Sequence, residues 1–180
     1  MNIPHCKARY WIIPGLGAAF LALAALVGAT GAARAQTPGV TTYKDWTVNC
    51  LTQPQTGVTT CEMTQTIFVD ATRSQSVLTV VVGFPQPGRD PGMMLVLPLG
   101  ISLSSGVFLQ IDEAEPQQVP VERCEAEGCL VQLFLPQDYL QALMAGSQGT
   151  VYAHDRGHQR FAVEFSLLGF TAGLNALTGN

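Results

Sequence analysis

The chain has 180 residues, with nine Lys plus Arg against thirteen Asp plus Glu and a formal net charge of −4. An acidic chain without a basic patch excludes nucleic-acid binding and electrostatic docking on anionic lipid.

The first segment reads as an export signal. His5, Lys7 and Arg9 give a basic start, and an apolar run follows from Tyr10 to about Thr30. Ala33-Arg34-Ala35 then supplies the small-x-small pattern that a signal peptidase reads. Cleavage after Ala35 makes 1–35 a signal peptide and Gln36 the mature N-terminus. The alternative is an uncleaved anchor, because the apolar run approaches bilayer-spanning length. Cys6 precedes that run and leaves with the signal. Removing Lys7, Arg9 and Arg34 leaves six basic residues against thirteen acidic ones, a net charge of −7. What remains, about 145 residues, is the size of one domain with its own core. It divides into a flexible lead-in over 36–42 and a β-domain over 43–178, with no transmembrane segment after cleavage.

Along that domain the apolar period is two rather than 3.6. Tyr43 to Cys50 reads as a strand with Trp46 and Val48 on one face. Gln53-Pro54-Gln55-Thr56-Gly57 is turn chemistry, and Val58 to Val69 is the second strand. Ser76 to Phe84 is β-branched and apolar on both faces, which predicts a central buried strand. A loop over Pro85 to Gly92 leads to strands at Met93–Leu97, Val107–Ile111, Gln117–Arg123 and Leu130–Leu135. Pro136-Gln137-Asp138 opens a short helix carrying Leu140, Leu143 and Met144 on one face, and Gly146 stops it. Thr150–His154 and Arg160–Leu167 form a last hairpin with Asp155-Arg156-Gly157 at its tip, and Leu168–Leu177 makes a further helical turn or two. About nine short strands with regular turn signals describe an all-β sandwich.

Cys50, Cys61, Cys124 and Cys129 remain in the mature chain. In an oxidising compartment they become structural staples. Four cysteines allow three connectivities, and the sequence does not choose among them, although proximity favours two local pairs. Cys-x10-Cys and Cys-x4-Cys is poor zinc spacing, and a redox role wants the absent Cys-x-x-Cys. Gly128, between Cys124 and Cys129, suits a tight turn that needs positive φ.

Candidate reactive groups are few. His154 and His158 are spaced as two metal ligands on a helix would be, but Asp155-Arg156-Gly157 between them reads as a turn. Ser104 and Ser105 precede Gly106 without a Gly-x-Ser-x-Gly elbow. Asp112, Glu113 and Glu115 cluster on a solvent turn, where no apolar pocket raises a carboxylate into an acid–base role. Trp46 reads as a core anchor. No motif with a catalytic mechanism is present, so the expectation is a non-enzymatic protein without a cofactor.

The order of landmarks resembles the invasion-associated locus B family of exported bacterial proteins. Asp45-Trp46-Thr47-Val48 precedes Cys50, and Cys61 follows in a second strand. Then come Leu97-Pro98-Leu99-Gly100-Ile101, Gly106-Val107 and Gln110-Ile111-Asp112. Cys124 with Gly128-Cys129 comes next, and Ser166 to Ala172 closes the series. Lys44 stands where the pattern carries Gly, and the loop after Phe84 is unusually rich in proline. The resemblance implies an immunoglobulin-like β-sandwich with one or two short helices, held in the periplasm, associated with the outer membrane or secreted. It also implies a binding or adhesion module associated in pathogens with entry into host cells, whose partner is a protein of the envelope or host surface. A general periplasmic structural or stress-related role is the alternative, and a metal protein using His154 and His158 is a second. The Phe84 to Met94 loop is the candidate contact surface.

Overall fold

The computed structural model describes residues 39–85 and 90–178, so the expected signal peptide and the start of the lead-in lie outside it. Among the described residues there are eleven strands in two antiparallel sheets, together forming an all-β sandwich. In chain order they are β1 Val40–Tyr43, β2 Trp46–Thr52, β3 Thr59–Phe68, β4 Ser76–Gly83 and β5 Gly92–Leu97, followed by β6 Val107–Ile111, β7 Gln117–Val119 and β8 Val121–Glu125. The last three are β9 Gly128–Phe134, β10 Gln148–His154 and β11 Arg160–Ser166, with helices α1 Gln137–Ala145 and α2 Phe170–Thr178. The larger sheet runs β1-β2-β3-β4-β5-β9-β8 and the smaller runs β11-β10-β6-β7.

Alternation decides what each strand buries. In β4, Leu78, Val80 and Val82 are fully buried, while Val77, Thr79 and Val81 on the other face are half-buried. The strand is central, fourth of seven, but only one of its faces enters the core, so the expectation of a strand buried on both sides holds for one side. Leu95 and Leu97 of β5, Val131 of β9, Leu109 of β6 and Val151 of β10 meet it in the core between the sheets. Helix α1 adds Leu143, which is buried, whereas Met144 of the expected apolar face is exposed.

Trp46 anchors one end of that core. It is fully buried, and its ring meets Phe170 of α2 edge to face with centroids 5.3 Å apart. Its indole N–H donates to the Ser166 carbonyl at 3.0 Å. The Gln65 amide reads the same residue, accepting from Ser166 N–H at 2.8 Å and donating to Ser166 O at 3.1 Å. Gln65 therefore acts like one rung of a β-ladder and ties β3 of the larger sheet to the end of β11. Gly169, at φ 90°, lets the chain turn into α2 against β1, because a Cβ there would overlap the Tyr43 carbonyl.

Two expected boundaries are corrected. Residues 43–50 are not one strand: β1 and β2 form a hairpin with Tyr43 opposite Trp46, turning at Lys44-Asp45 with Lys44 at φ 54°. Part of the expected lead-in over 36–42 is thus strand β1. Residues 117–123 are not one strand either. Pro120, which has no N–H to donate, breaks the run, and β7 stays in the smaller sheet while β8 joins the larger.

Candidate functional site

The disulfides are two local pairs. Cys50 and Cys61 are directly opposed on β2 and β3, and Cys124 and Cys129 on β8 and β9, with S–S distances of 2.03 and 2.02 Å. Each fastens a neighbouring pair of strands within the larger sheet. Gly128 takes φ 147° at the second staple, where a Cβ would overlap the Leu97 carbonyl.

The outer face of the larger sheet carries the candidate surface. Its rows can be read from the register. One row runs Thr47, Thr64, Val81, Met94, Gln132 across five strands, and the next runs Asn49, Glu62, Gly83, Gly92, Phe134. Gly83 and Gly92 are directly paired, so the second row has no side chains at its middle. The gap forms a groove of about 280 Å³, floored by the glycines and walled by Phe84, Pro85, Met94 and Phe134. Phe134 is 80% exposed, an unusual state for a large aromatic ring. Among the described residues, Glu62 is the one charged residue lining the groove. The volume lies just below the range of small-molecule sites, which run roughly 300–1,000 Å³.

Of the expected Phe84 to Met94 loop, Phe84, Pro85, Gly92 and Met94 line this groove, and Met93 and Met94 belong to β5. Residues 86–89 lie outside the described residues. Phe134 and the glycine pair were not legible as site residues. The one sequence signal is a phenylalanine in step with Gln132 on the polar side of β9.

The reactive candidates fall elsewhere. His158, at φ 60°, sits beside the 3-10 turn Leu103–Ser105, with Nδ1 3.1 Å from Ser105 Oγ and 3.4 Å from Ser102 Oγ. Ser102 and Ser105 are themselves 2.9 Å apart. No carboxylate is bonded to the His158 ring among the described residues: Asp155 instead accepts from the N–H groups of Gly157 and Gln159, shaping the hairpin tip. His154 ends β10, and its buried Nδ1 has no partner among the described residues. It lines a separate cavity of about 290 Å³ with Phe108, Pro116 and Arg160. No group of three or more His, Cys, Asp or Glu gathers among the described residues.

A third cleft, about 480 Å³, lies between α1 and the turn after β6 and is lined by Asp112, Glu115, Asp138 and Tyr139. Asp112 is committed to structure, accepting from Ser147 N–H and Gln148 N–H at 3.0 Å each. Burial pushes the Tyr139 phenol up to about 12. Ser102, Ser105 and His158 thus meet at the hairpin tip, whereas His154 and the carboxylates of Asp112, Glu115 and Asp138 line two separate clefts.

This architecture defines a class, the disulfide-stapled all-β sandwich with one sheet face left open around an apolar groove. Within that class the chain belongs to the Invasion associated locus B (IalB) protein family, whose model matches residues 46–178. It is 32% identical over 137 residues to an invasion protein B homolog of Brucella abortus strain 2308, covering 76% of this chain and 77% of that protein. A homolog from Brucella abortus biovar 1 strain 9-941 matches equally. The crystal structure of invasion associated protein B from Bartonella henselae is similar with a TM-score of 0.68 and 27% identity. That match covers 78% of this chain and 95% of the Bartonella chain.

Proposed function

We propose that this protein is an exported cell-envelope binding module of the invasion-associated type, which works by contact rather than by catalysis. The carrying observation is the groove on the outer sheet face, with its glycine floor and the 80% exposed Phe134 at its wall. An exposed aromatic beside a preformed apolar depression is the form of an interface anchor site. The partner is a protein of the envelope or host-cell surface that inserts one apolar side chain between Phe134 and Phe84. Location in the periplasm, at the outer membrane or outside the cell fits the signal-like start and two staples that need an oxidising compartment.

Cross-linking in intact cells, followed by mass spectrometry, tests the reading with two substitutions. Phe134→Asp charges one wall. Gly83→Val fills the floor, where a Cβ meets nothing nearer than Cys61 O at 3.6 Å. Both are expected to lower capture of one and the same partner at least tenfold, with secretion and folding unchanged. Undiminished capture in both variants sinks the groove as the contact site.

A further inference from the structure

We propose that the free edge of β11 is a self-association site, on which a second copy of this chain adds its own β11 antiparallel and in register about Ala162. The larger and smaller sheets together present four edge strands, and three carry devices that discourage pairing. β7 has three residues between Pro116 and Pro120, and β1 has four. β8 is interrupted by a bulge between Val121 and Arg123 and carries Glu122, Arg123 and Glu125. β11 is different. Its seven residues, Arg160–Ser166, contain no proline, and their pairing with β10 is unbroken.

Hydrogen bonding fixes which groups face the open side. Leu167 N–H donates to Ser147 O, toward β10, whereas Ser166 N–H and C=O turn away from β10 to meet Gln65. Backbone direction alternates along an antiparallel strand. The N–H and C=O of Arg160, Ala162 and Glu164 therefore point to the open edge, and β11 pairs only with β10 among the described residues. All three residues are exposed. The Gln65 clasp closes the edge at Ser166, leaving a free stretch of three residues' worth of paired donors and acceptors.

A two-fold pairing centred on Ala162 uses all of that stretch. It sets Ala162 against its own copy at the axis and Arg160 against Glu164 of the second copy, twice by symmetry. All three are hydrogen-bonded positions, so backbone and side-chain complementarity coincide. Centring the axis on Arg160 or Glu164 instead would oppose like charges. Centring it on Phe161 or Val163 would leave Arg160 and Glu164 without each other. In the monomer Arg160 rests over the Tyr152 ring, 4.0 Å from its centroid, and forms no salt bridge to Glu164. The product is an eight-stranded sheet continuous across two molecules, built by strand addition. The outer groove on the larger sheet plays no part in it.

Sedimentation equilibrium on the protein produced from the full-length chain tests this pairing. The unaltered protein is expected to show a concentration-dependent monomer–dimer equilibrium. Glu164→Arg or Arg160→Glu alone places like charges at both symmetry-related contacts and is expected to weaken dimerisation about tenfold. The double charge swap Arg160→Glu with Glu164→Arg is expected to restore it. A protein that stays monomeric at every concentration overturns the proposal. So does a dimer insensitive to single reversal, or a double swap that fails to recover association.

Discussion

The two faces of the seven-stranded sheet are made by the same strands and the same alternation, yet they meet opposite fates. The inner face is closed by the smaller sheet and by α2, and every large side chain on it has a packing partner. Trp46 shows how complete that closure is, with its ring on Phe170 and its N–H on Ser166. Among the described residues, the outer face has no second layer. It carries Thr47, Thr64, Thr66 and Thr79, then the paired glycines and Phe134. Threonine gives such a face strand propensity without a large apolar surface, so the sheet can remain open to water. The contrast separates stability from contact. Substitutions on the inner face should unfold the protein, and substitutions on the outer face should leave it folded and change what it meets.

The largest expected effect is on the inner face. Trp46→Ala removes a fully buried indole and should lower unfolding free energy by about 3–5 kcal/mol, measured as a fall in the urea midpoint. Replacing Cys50 and Cys61 together by alanine should cost about 2–3 kcal/mol, because the staple closes a loop of 11 residues' separation. A loss near zero would mean that the β2–β3 ladder already restricts the unfolded hairpin. Gln65→Ala should cost about 1.5 kcal/mol, since Ser166 N–H loses its acceptor while Ser166 C=O keeps the Trp46 indole N–H.

Much of this closed half was legible in the sequence, because burial leaves a period of two in β-branched and aliphatic residues. Val107–Ile111 and Arg160–Leu167 were readable as strands from it, and Ser76–Phe84 from its run of β-branched residues; the strands end at Ile111, Ser166 and Gly83. Helix α1 was readable from Pro136, Asp138 and Gly146. The β1–β2 turn was not, because Lys44-Asp45 is not the Asn-Gly or Asp-Gly pair that signals a two-residue hairpin. Its left-handed Lys44 is fixed by tertiary context, with Asp45 N–H reaching the Leu168 carbonyl. The sheet change at Pro120 was half legible. A proline excludes a central strand, but no local residue says which sheet the next strand joins. The site was least legible of all. Gly83 and Gly92 form a groove only because long-range registration sets them opposite each other, and single-chain periodicity carries no registration.

Tyr139 supplies a smaller, pH-dependent test of the closed half. Folding raises its phenol to about 12 from the ordinary value near 10, because burial disfavours the phenolate. A group that holds its proton more tightly when folded contributes its full stability below about pH 10 and loses it as the pH rises towards about 12. The difference in urea midpoint between the unaltered protein and Tyr139→Phe should therefore be flat up to about pH 10 and change above it. A difference that stays constant through that range would show that the phenol is solvated in the folded protein.

The smallest expected stability effect belongs to the outer face, and it decides the comparison. Phe134 is 80% exposed, so Phe134→Ser removes little surface that folding had taken from water. The urea midpoint should correspond to a change within about 0.5 kcal/mol, the range of ordinary surface positions. A loss of 2 kcal/mol or roughly more would place the ring in the fold's own packing, since such losses come from buried groups. Phe134 would then be structural, and the open face would have no anchor to offer a partner. A neutral substitution that also removes capture would separate the two faces by one measurement each. The ring would then cost the fold nothing to lose and the interface nearly everything.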